Sequence, residues 1–327
     1  MSFYNLVVDS NDSIAFILDL HMDSTTPSSR IDDLQETLLD KMDDIREKCI
    51  ERRVKHIFFA GDIFNRIACT HASVNLLGES FLKFKENRIQ LYSILGNHDI
   101  VRNSLEAMEK SPIQTLFSFG VLSHISRDSK VFINSKVLIS PFDYTEVVEP
   151  VPDDYTHMFN VLLAHVFYNA SDLLADDKHN IREAEVDRLG YDLMVLGHDH
   201  QEYPTIKVNN TTIVRCGAVL RGTAHNYNFT RKPKFVVWKN LDNPSVDNLE
   251  YVEIRHRDYR DIASEYVINK KQVGSISGLQ DVLSNLAEKL ADSGESDADR
   301  ILDIINTDKD LPQTCRALIL KYLSEGV

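Results

Sequence analysis

The residues of this chain that could do chemistry stand where short apolar runs stop: Asp19, His21, Asp62, Asn97, His98, Asp99, His165, His198 and His200. Carboxylate, imidazole and amide together form a donor set suited to borderline divalent ions such as manganese, iron or zinc. Asp19 and His21 stand two apart in an extended segment, so both side chains can face one way, and the same holds for His198 and His200. Asp62 stands alone at its strand end and suits a bridging carboxylate. Two such ions ~4 Å apart activate a water and clamp the attacking and leaving oxygens of a phosphoryl transfer.

Bringing these groups together needs parallel strands that end at one edge. Residues 14–18 are an apolar run suited to a buried strand. A polar loop over 22–29 follows, then a helical stretch in which Ile31, Leu34, Leu38, Met42, Ile45 and Cys49 recur on one face. Ser28 or Ser29 suits its N-cap. A strand over 56–60 leads into Gly61-Asp62, and a second helix carries Val74, Leu77, Phe81 and Phe84 on its inner face. The run 89–95 then stops at Gly96-Asn97-His98-Asp99. Strand, helix, strand, helix, strand implies parallel crossovers, which gather the strand-end groups at the carboxyl edge of one sheet.

Further on, 131–133 and 137–139 read as a hairpin around Asn134-Ser135-Lys136. A strand over 159–164 ends in His165, 172–188 is charged and helical over part of its length, and 192–196 ends in Gly197-His198-Asp199-His200. Short strands follow over 205–208, 212–214, 234–239 and 249–254, which could form a second sheet packed on the first. The expected fold class is α/β, a two-sheet sandwich with helices outside. Residues 1–264 are read as the main domain, of which 203–264 is a β-rich capping or extension part. Residues 265–327 are read as a small helical appendage, with Leu279, Val282, Leu283, Leu286 and Leu290 at helical spacing and a last helix opening at Pro312.

Lys plus Arg number 36 against 50 Asp plus Glu, a net charge of −14 that argues against a protein coating nucleic acid through a general basic field. It leaves room for a nucleic-acid enzyme, because bound divalent ions and local cations reverse the sign within one cleft. The densest basic stretch, Arg221, His225, Arg231, Lys232 and Lys234, has Tyr227 and Phe229 interleaved. It suits either a phosphate backbone with stacked bases or a solvated hairpin. The widely spaced Cys49, Cys69, Cys216 and Cys315 form no CxxC pair and read as buried free thiols. No Lys or Arg precedes Arg30 and no apolar run approaches membrane-spanning length, so the expected location is the cytoplasm.

The set Asp19-x-His21, Gly61-Asp62, Gly96-Asn97-His98-Asp99, His165 and Gly197-His198-x-His200 resembles the calcineurin-like metallophosphoesterase family. The motifs stand in the family's order over roughly residues 14–200. The run Gly61-Asp62-Ile63-Phe64 and the later Gly217-Ala218-Val219-Leu220-Arg221 narrow the resemblance to the SbcD-type DNA repair nucleases, including versions carried by large bacteriophages, for which the location is the host cytoplasm. The resemblance implies a two-sheet α/β sandwich and two divalent ions, manganese first, with magnesium, iron or zinc as alternatives. It implies one ion held by Asp19, His21, Asp62 and His200, and a second by Asp62, Asn97, His165 and His198. His98 would face the scissile phosphate and protonate the leaving oxygen, with Asp99 fixing its tautomer.

The chain departs from the pattern at two points. SbcD-type nucleases often place a histidine directly after Gly-Asp-x-Phe, where this chain has Asn65 and then Arg66. The first motif usually continues into Leu-Gly, where Met22-Asp23 stands. Asn65, Arg66, Arg221 and His225 are the candidates for substrate contact. The implied function is a DNA exonuclease or endonuclease in repair, recombination or replication. The alternatives are a phosphodiesterase acting on a nucleotide or other small diester, and a metal-binding scaffold without activity. The implied partners are DNA and an SbcC-type SMC-like ATPase docked on the helical appendage, with a homodimer left open.

Overall fold

A computed structural model of the chain describes residues 2–100, 109–169, 180–223 and 225–264. The chain divides into two units, Met1–Ser264 and Glu265–Val327, and the helices expected in the second lie outside the described residues.

Strands β1 (Ser2–Leu6) and β2 (Ser13–Ile17) open the chain. Helix α1 (Leu34–Glu51) starts at Asp33, whose carboxylate accepts the Glu36 amide at 3.0 Å, and not at Ser28 or Ser29. A carboxylate there satisfies one orphan amide of the first turn. Ile31 consequently lies ahead of the helix and is exposed, against expectation. Strand β3 (Val54–Phe59) leads to α2 (His71–Glu86), capped by Thr70, and β4 (Gln90–Ser93) follows. Next come α3 (Pro112–Ser118), β5 (Ser123–His124), β6 (Ser129–Ile133) and β7 (Val137–Phe142). Asn134 and Ser135, at φ 51° and 53°, make the expected tight turn between the antiparallel β6 and β7. Strands β8 (Phe159–His165), β9 (Phe167–Asn169) and β10 (Asn180–Arg182) precede α4 (Glu183–Leu189), the described part of the expected charged helix. The remaining elements are β11 (Leu193–Gly197), β12 (Ile206–Val208), β13 (Thr211–Val214), β14 (Lys234–Lys239), β15 (Leu249–Glu253) and α5 (Tyr259–Ile262).

Two sheets face each other. One is six-stranded in the order β15-β14-β2-β3-β4-β5, the other seven-stranded in the order β1-β6-β7-β8-β11-β13-β12. Alternation along the strands sorts the cores. Ile14, Phe16 and Phe58 meet Val161, Leu163, Leu193 and Val195 between the sheets. Ala15, Ile17 and Phe59 point the other way, to Leu38, Ile45, Leu77 and Phe81 of α1 and α2. On the far side Leu162, Ala164, Met194 and Leu196 receive Val186 and Leu189 of α4. Strands buried on both faces must read as unbroken apolar runs, and β2 and β8 do. The strands after His200 correct one expectation: they do not make the second sheet by themselves. Strands β12 and β13 extend the seven-stranded sheet, while β14 and β15 flank β2 in the other. Among the described residues no helix is long and apolar enough to cross a membrane.

One buried charge has a cost. Lys41 lies on the inner stripe of α1, 5% exposed, and its Nζ has no hydrogen-bond partner among the described residues. Burial, then the guanidinium groups of Arg221, Arg231 and Arg30, holds it well below the ordinary lysine range. We expect Lys41→Met to raise the unfolding free energy by about 1–4 kcal/mol. A lysine with a depressed folded-state pKa is protonated more readily when unfolded, so wild-type stability falls as pH falls through that range. The advantage of methionine should therefore be larger near about pH 6 than near about pH 9 in urea unfolding.

Candidate active site

The site lies at the carboxyl ends of β2, β3, β4, β8 and β11. Leaving β2, the chain turns sharply, with Asp19 at φ 42° and His21 at φ 54°; Asp62 (49°) and His198 (86°) lie in the same left-handed region. Non-glycine residues held there cost on the order of 1–3 kcal/mol each, and persist where the surroundings over-determine them. The surroundings do so here. The Leu20 and His21 amides both donate to the Asp62 carbonyl at 3.0 Å, and the Val219 amide donates to the Asp19 carbonyl at 3.0 Å. The Ala218 amide donates to the His200 carbonyl at 3.2 Å.

The two buried carboxylates each spend one oxygen on the backbone. Asp19 Oδ1 accepts the His198 amide, and Asp62 Oδ1 accepts the His98 amide, both at 3.0 Å. Asp19 Oδ2 and Asp62 Oδ2 are left buried with no hydrogen-bond partner among the described residues. Asp62 Oδ2 lies 3.6 Å from His21 Nε2 on one side and 3.3 Å from His165 Nε2 on the other. Around the first side, donor atoms of Asp19, His21, Asp62 and His200 all fall within 4.8 Å of one another, and the Nε2 atoms of His21 and His200 are 2.8 Å apart. Around the second, His165 Nε2 is 3.0 Å from Asn97 Oδ1, and the His165 and His198 rings are 4.9 Å apart. His165 Nδ1 donates to the Ala60 carbonyl at 2.7 Å, which leaves Nε2 turned to the carboxylate and amide.

Orphaned carboxylate oxygens facing imidazole nitrogens are what a cation site needs: a divalent ion would take the place of the proton that His165 holds against Asp62. Burial, reinforced by neighbouring imidazoles, holds His21 and His198 well below their ordinary range, so both are neutral donors. Burial would raise Asp62, but the charge of His165, itself pushed up to about 9 against burial chiefly by Asp62, and then that of His98 more than offset it and hold Asp62 well below the ordinary carboxylate range. Burial above all pushes Asp19 up to about 7. A divalent ion beside it would favour the carboxylate form.

Glycines make the room. A Cβ at Gly61 would come within 2.7 Å of His165 Nδ1, and one at Gly197 within 2.9 Å of the same atom. A Cβ at Gly96 would overlap the carboxylate and amide of Asp62.

The structure thus brings Asp19, His21, Asp62, Asn97, His165, His198 and His200 together, with His98 beside them, its ring 5.2 Å from that of His21. Asp99 is placed differently from expectation. Its carboxylate accepts the backbone amides of Ile63 at 3.2 Å, Phe64 at 3.0 Å and Gly96 at 3.1 Å, and it is fully buried. Asp99 therefore ties the turn after β3 to the turn after β4. It is the carbonyl of Asn65, 2.7 Å from His98 Nδ1, that selects the tautomer.

The substrate candidates also need correction. The Asn65 and Arg66 side chains are held by the buried Asp23. Arg221 is 3% exposed and donates to the Asn228 and Arg257 carbonyls; Arg231, 5% exposed, donates to the carbonyls of Ala218 and Leu220. Lys234 pairs with Glu202 at 2.6 Å and Lys232 with Glu253 at 3.4 Å. The basic stretch is therefore largely internal wiring that shapes the 217–221 loop behind Asp19 and His200. His225 is half-buried and stacks on Tyr227, ring centroids 5.3 Å apart.

Sequence reasoning missed Asp143, Tyr144 and Phe167. Asp143 accepts the Leu95 amide at 2.7 Å and pairs with His124 at 2.9 Å beneath the Gly96 turn. The rings of Phe167 and Tyr144 pack on His198 at 3.9 Å and 5.3 Å. No spacing links these residues to the motifs; only the fold does.

The family model of the calcineurin-like phosphoesterases matches residues 13–202, the segment that supplies every one of these donors. The chain belongs to this family. It is a metal-dependent phosphoesterase, a hydrolase, and its paired donor sets fit two divalent ions about one bridging carboxylate. Over 115 residues the phosphoesterase is 29% identical to the DNA double-strand break repair protein Mre11 of Methanococcus maripaludis, covering 35% of this chain. That match spans 30% of the relative's length. Among solved structures it is similar to TT1561 of Thermus thermophilus, with TM-score 0.46 and 9% identity over 75% of this chain and 99% of that one. A dimetal phosphatase from Danio rerio is similar with TM-score 0.45 and 12% identity, over 70% of this chain and 92% of that one.

Proposed function

We propose that this phosphoesterase is a DNA nuclease of the SbcD type, hydrolysing phosphodiester bonds with two divalent ions, manganese first among them. The observation that carries the two-ion reading is Asp62 Oδ2, buried without a partner between His21 Nε2 and His165 Nε2. The similarity to a DNA double-strand break repair protein supports the choice of DNA.

In this reading Asp19, His21, Asp62 and His200 hold one ion, and Asp62, Asn97, His165 and His198 the other. When bound, the ions supply an activated water and neutralise charge developing on the phosphoryl oxygens. The protein's own residues supply the rest. The Ala60 carbonyl fixes the tautomer of His165, and the Asn65 carbonyl takes Nδ1–H of His98. In the doubly protonated ring His98 Nε2 is then the atom that gives a proton to the leaving oxygen, and the ring is left neutral with Nδ1–H still held by the Asn65 carbonyl. A docking role of 265–327 toward an SMC-like ATPase, and a homodimer, belong to the same proposal.

A second reading is a phosphodiesterase for a nucleotide or other small diester. It is favoured by the burial of Arg221 and Arg231, which removes cations that a DNA backbone would have used.

Both readings meet in one experiment: purified protein with manganese, end-labelled duplex and single-stranded DNA, and bis(p-nitrophenyl) phosphate, with His98→Ala alongside. Cleavage of DNA, reduced about 10²–10⁴-fold in kcat by His98→Ala, is the expected result. Hydrolysis of the small diester alone selects the second reading. Metal-loaded protein that cleaves neither overturns both.

A further inference from the structure

The two places where this chain departs from the usual motifs touch one another. Asp23 stands where the family's first motif has glycine, and Asn65-Arg66 where SbcD-type nucleases often begin with histidine. Asp23 is 1% exposed. Its Oδ2 accepts from Asn65 Nδ2 at 2.5 Å and from Arg66 Nε at 2.8 Å, and lies 2.7 Å from Arg66 Nη2. Its Oδ1 accepts from the Thr25 amide at 3.1 Å and hydroxyl at 3.2 Å.

A carboxylate buried this deeply is unfavourable unless it is paired and fully hydrogen-bonded, and both conditions are met. The cation that meets the first is Arg66, whose side chain is half exposed. What the arrangement fixes is residue 65. Its side chain is gripped by Asp23, and its amide donates to the Met22 carbonyl at 2.8 Å. Its carbonyl is the acceptor 2.7 Å from His98 Nδ1. The contacts run from Arg66 through Asp23 and the Asn65 amide to the imidazole. Glycine at position 23 has no side chain with which to make them.

We propose that Asp23 is a positioning residue for His98: by locking Asn65 it holds the carbonyl that orients the imidazole toward the leaving oxygen. The two departures in sequence are then one device, a buried carboxylate and the amide it grips. This inference rests on the role given to His98 above.

The test is a double-mutant cycle in the full chain with manganese and bis(p-nitrophenyl) phosphate. Asp23→Ala is expected to lower kcat about 10–100-fold with KM changed less than about threefold, while adding less than about twofold to the loss in a His98→Ala background. Asp23→Asn, which keeps an acceptor for the Asn65 amide, should recover most of kcat. Asn65→Ala keeps the carbonyl, removes the gripped amide and should lose as much as Asp23→Ala; it serves where Asp23→Ala fails to fold. Equal losses in both backgrounds, or no loss, overturn the proposal.

A second measurement is independent of turnover. The hydrogen-bonded Nδ1 proton of His98, assigned in ¹⁵N-resolved spectra by its absence in His98→Gln, should broaden or vanish in Asp23→Ala and persist in Asp23→Asn. Should the wild-type protein hydrolyse no diester, the nuclease and diesterase readings fail while this spectrum still decides the positioning. An unchanged signal in Asp23→Ala refutes it.

Discussion

Asp62→Asn is expected to lower kcat on a diester by at least ~10³-fold, equivalent to about 4 kcal/mol of transition-state stabilisation. The geometry says why so small a change is so costly. Asp62 Oδ1 accepts the His98 amide at 3.0 Å, so the remaining oxygen of asparagine is drawn to that donor. The NH₂ group then takes the place of Oδ2, between His21 Nε2 and His165 Nε2. A donor would point where both ions need a negative acceptor. Elemental analysis after equilibration with manganese should show metal content reduced alongside kcat. A variant with full metal content and kcat within about tenfold of wild type would remove Asp62 from the bridging position.

Gly96→Ala is expected to destabilise the 1–264 unit by roughly 3 kcal/mol, near the upper end of overpacking costs. In the melting temperature this is roughly 6–12 °C, measurable by calorimetry. Gly96 has φ −90°, which any residue adopts, so conformation is not the reason. The added methyl would overlap the carboxylate and amide nitrogen of Asp62, itself fully buried and held at φ 49°. Neither can retreat without dragging the metal donors. Gly78, inside α2, is the control: the nearest atom to a Cβ there is a Leu116 methyl at 3.4 Å. Gly78→Ala should raise stability by about 0.5–1 kcal/mol. Two alanines of opposite sign would locate the strain in the site and not in the substitution.

The donors are legible because each closes an apolar run. Period-two and period-3.6 patterns place the strands and helices without reference to contacts, and a strand that stops at Asp or His announces its own role. Residues 14–18 and 159–164 read in this way, and both strands are buried on two faces. Other features are not legible, each for a physical reason. Arg221 looks like a surface cation in sequence, because composition does not reveal that backbone carbonyls of Asn228 and Arg257 surround its guanidinium. Asp99 sits beside His98 in the chain, yet the tight turn over 97–99 aims its carboxylate back at Ile63, Phe64 and Gly96. Adjacency in sequence is not adjacency of function. The left-handed backbone at Asp19, His21, Asp62 and His198 has no compositional marker at all. It follows from hydrogen bonds between segments far apart in the chain. The second sheet is misread from sequence because short strands carry pattern but no address: β13 and β14 read alike, and they add to different sheets.

Strand β2, which delivers Asp19 and His21, lies between β3 and β14. Its second neighbour is thus translated some 220 residues after Asp19, about 10–40 s later at common ribosomal rates. The amides of Ala218 and Val219, which hold the His200 carbonyl and the strained turn at Asp19, are made only shortly before that strand. The first motif to leave the ribosome is therefore among the last to reach its working shape. During synthesis an apolar strand with an open edge waits for its partner, and an unpaired edge of that kind is where aggregation has its opportunity.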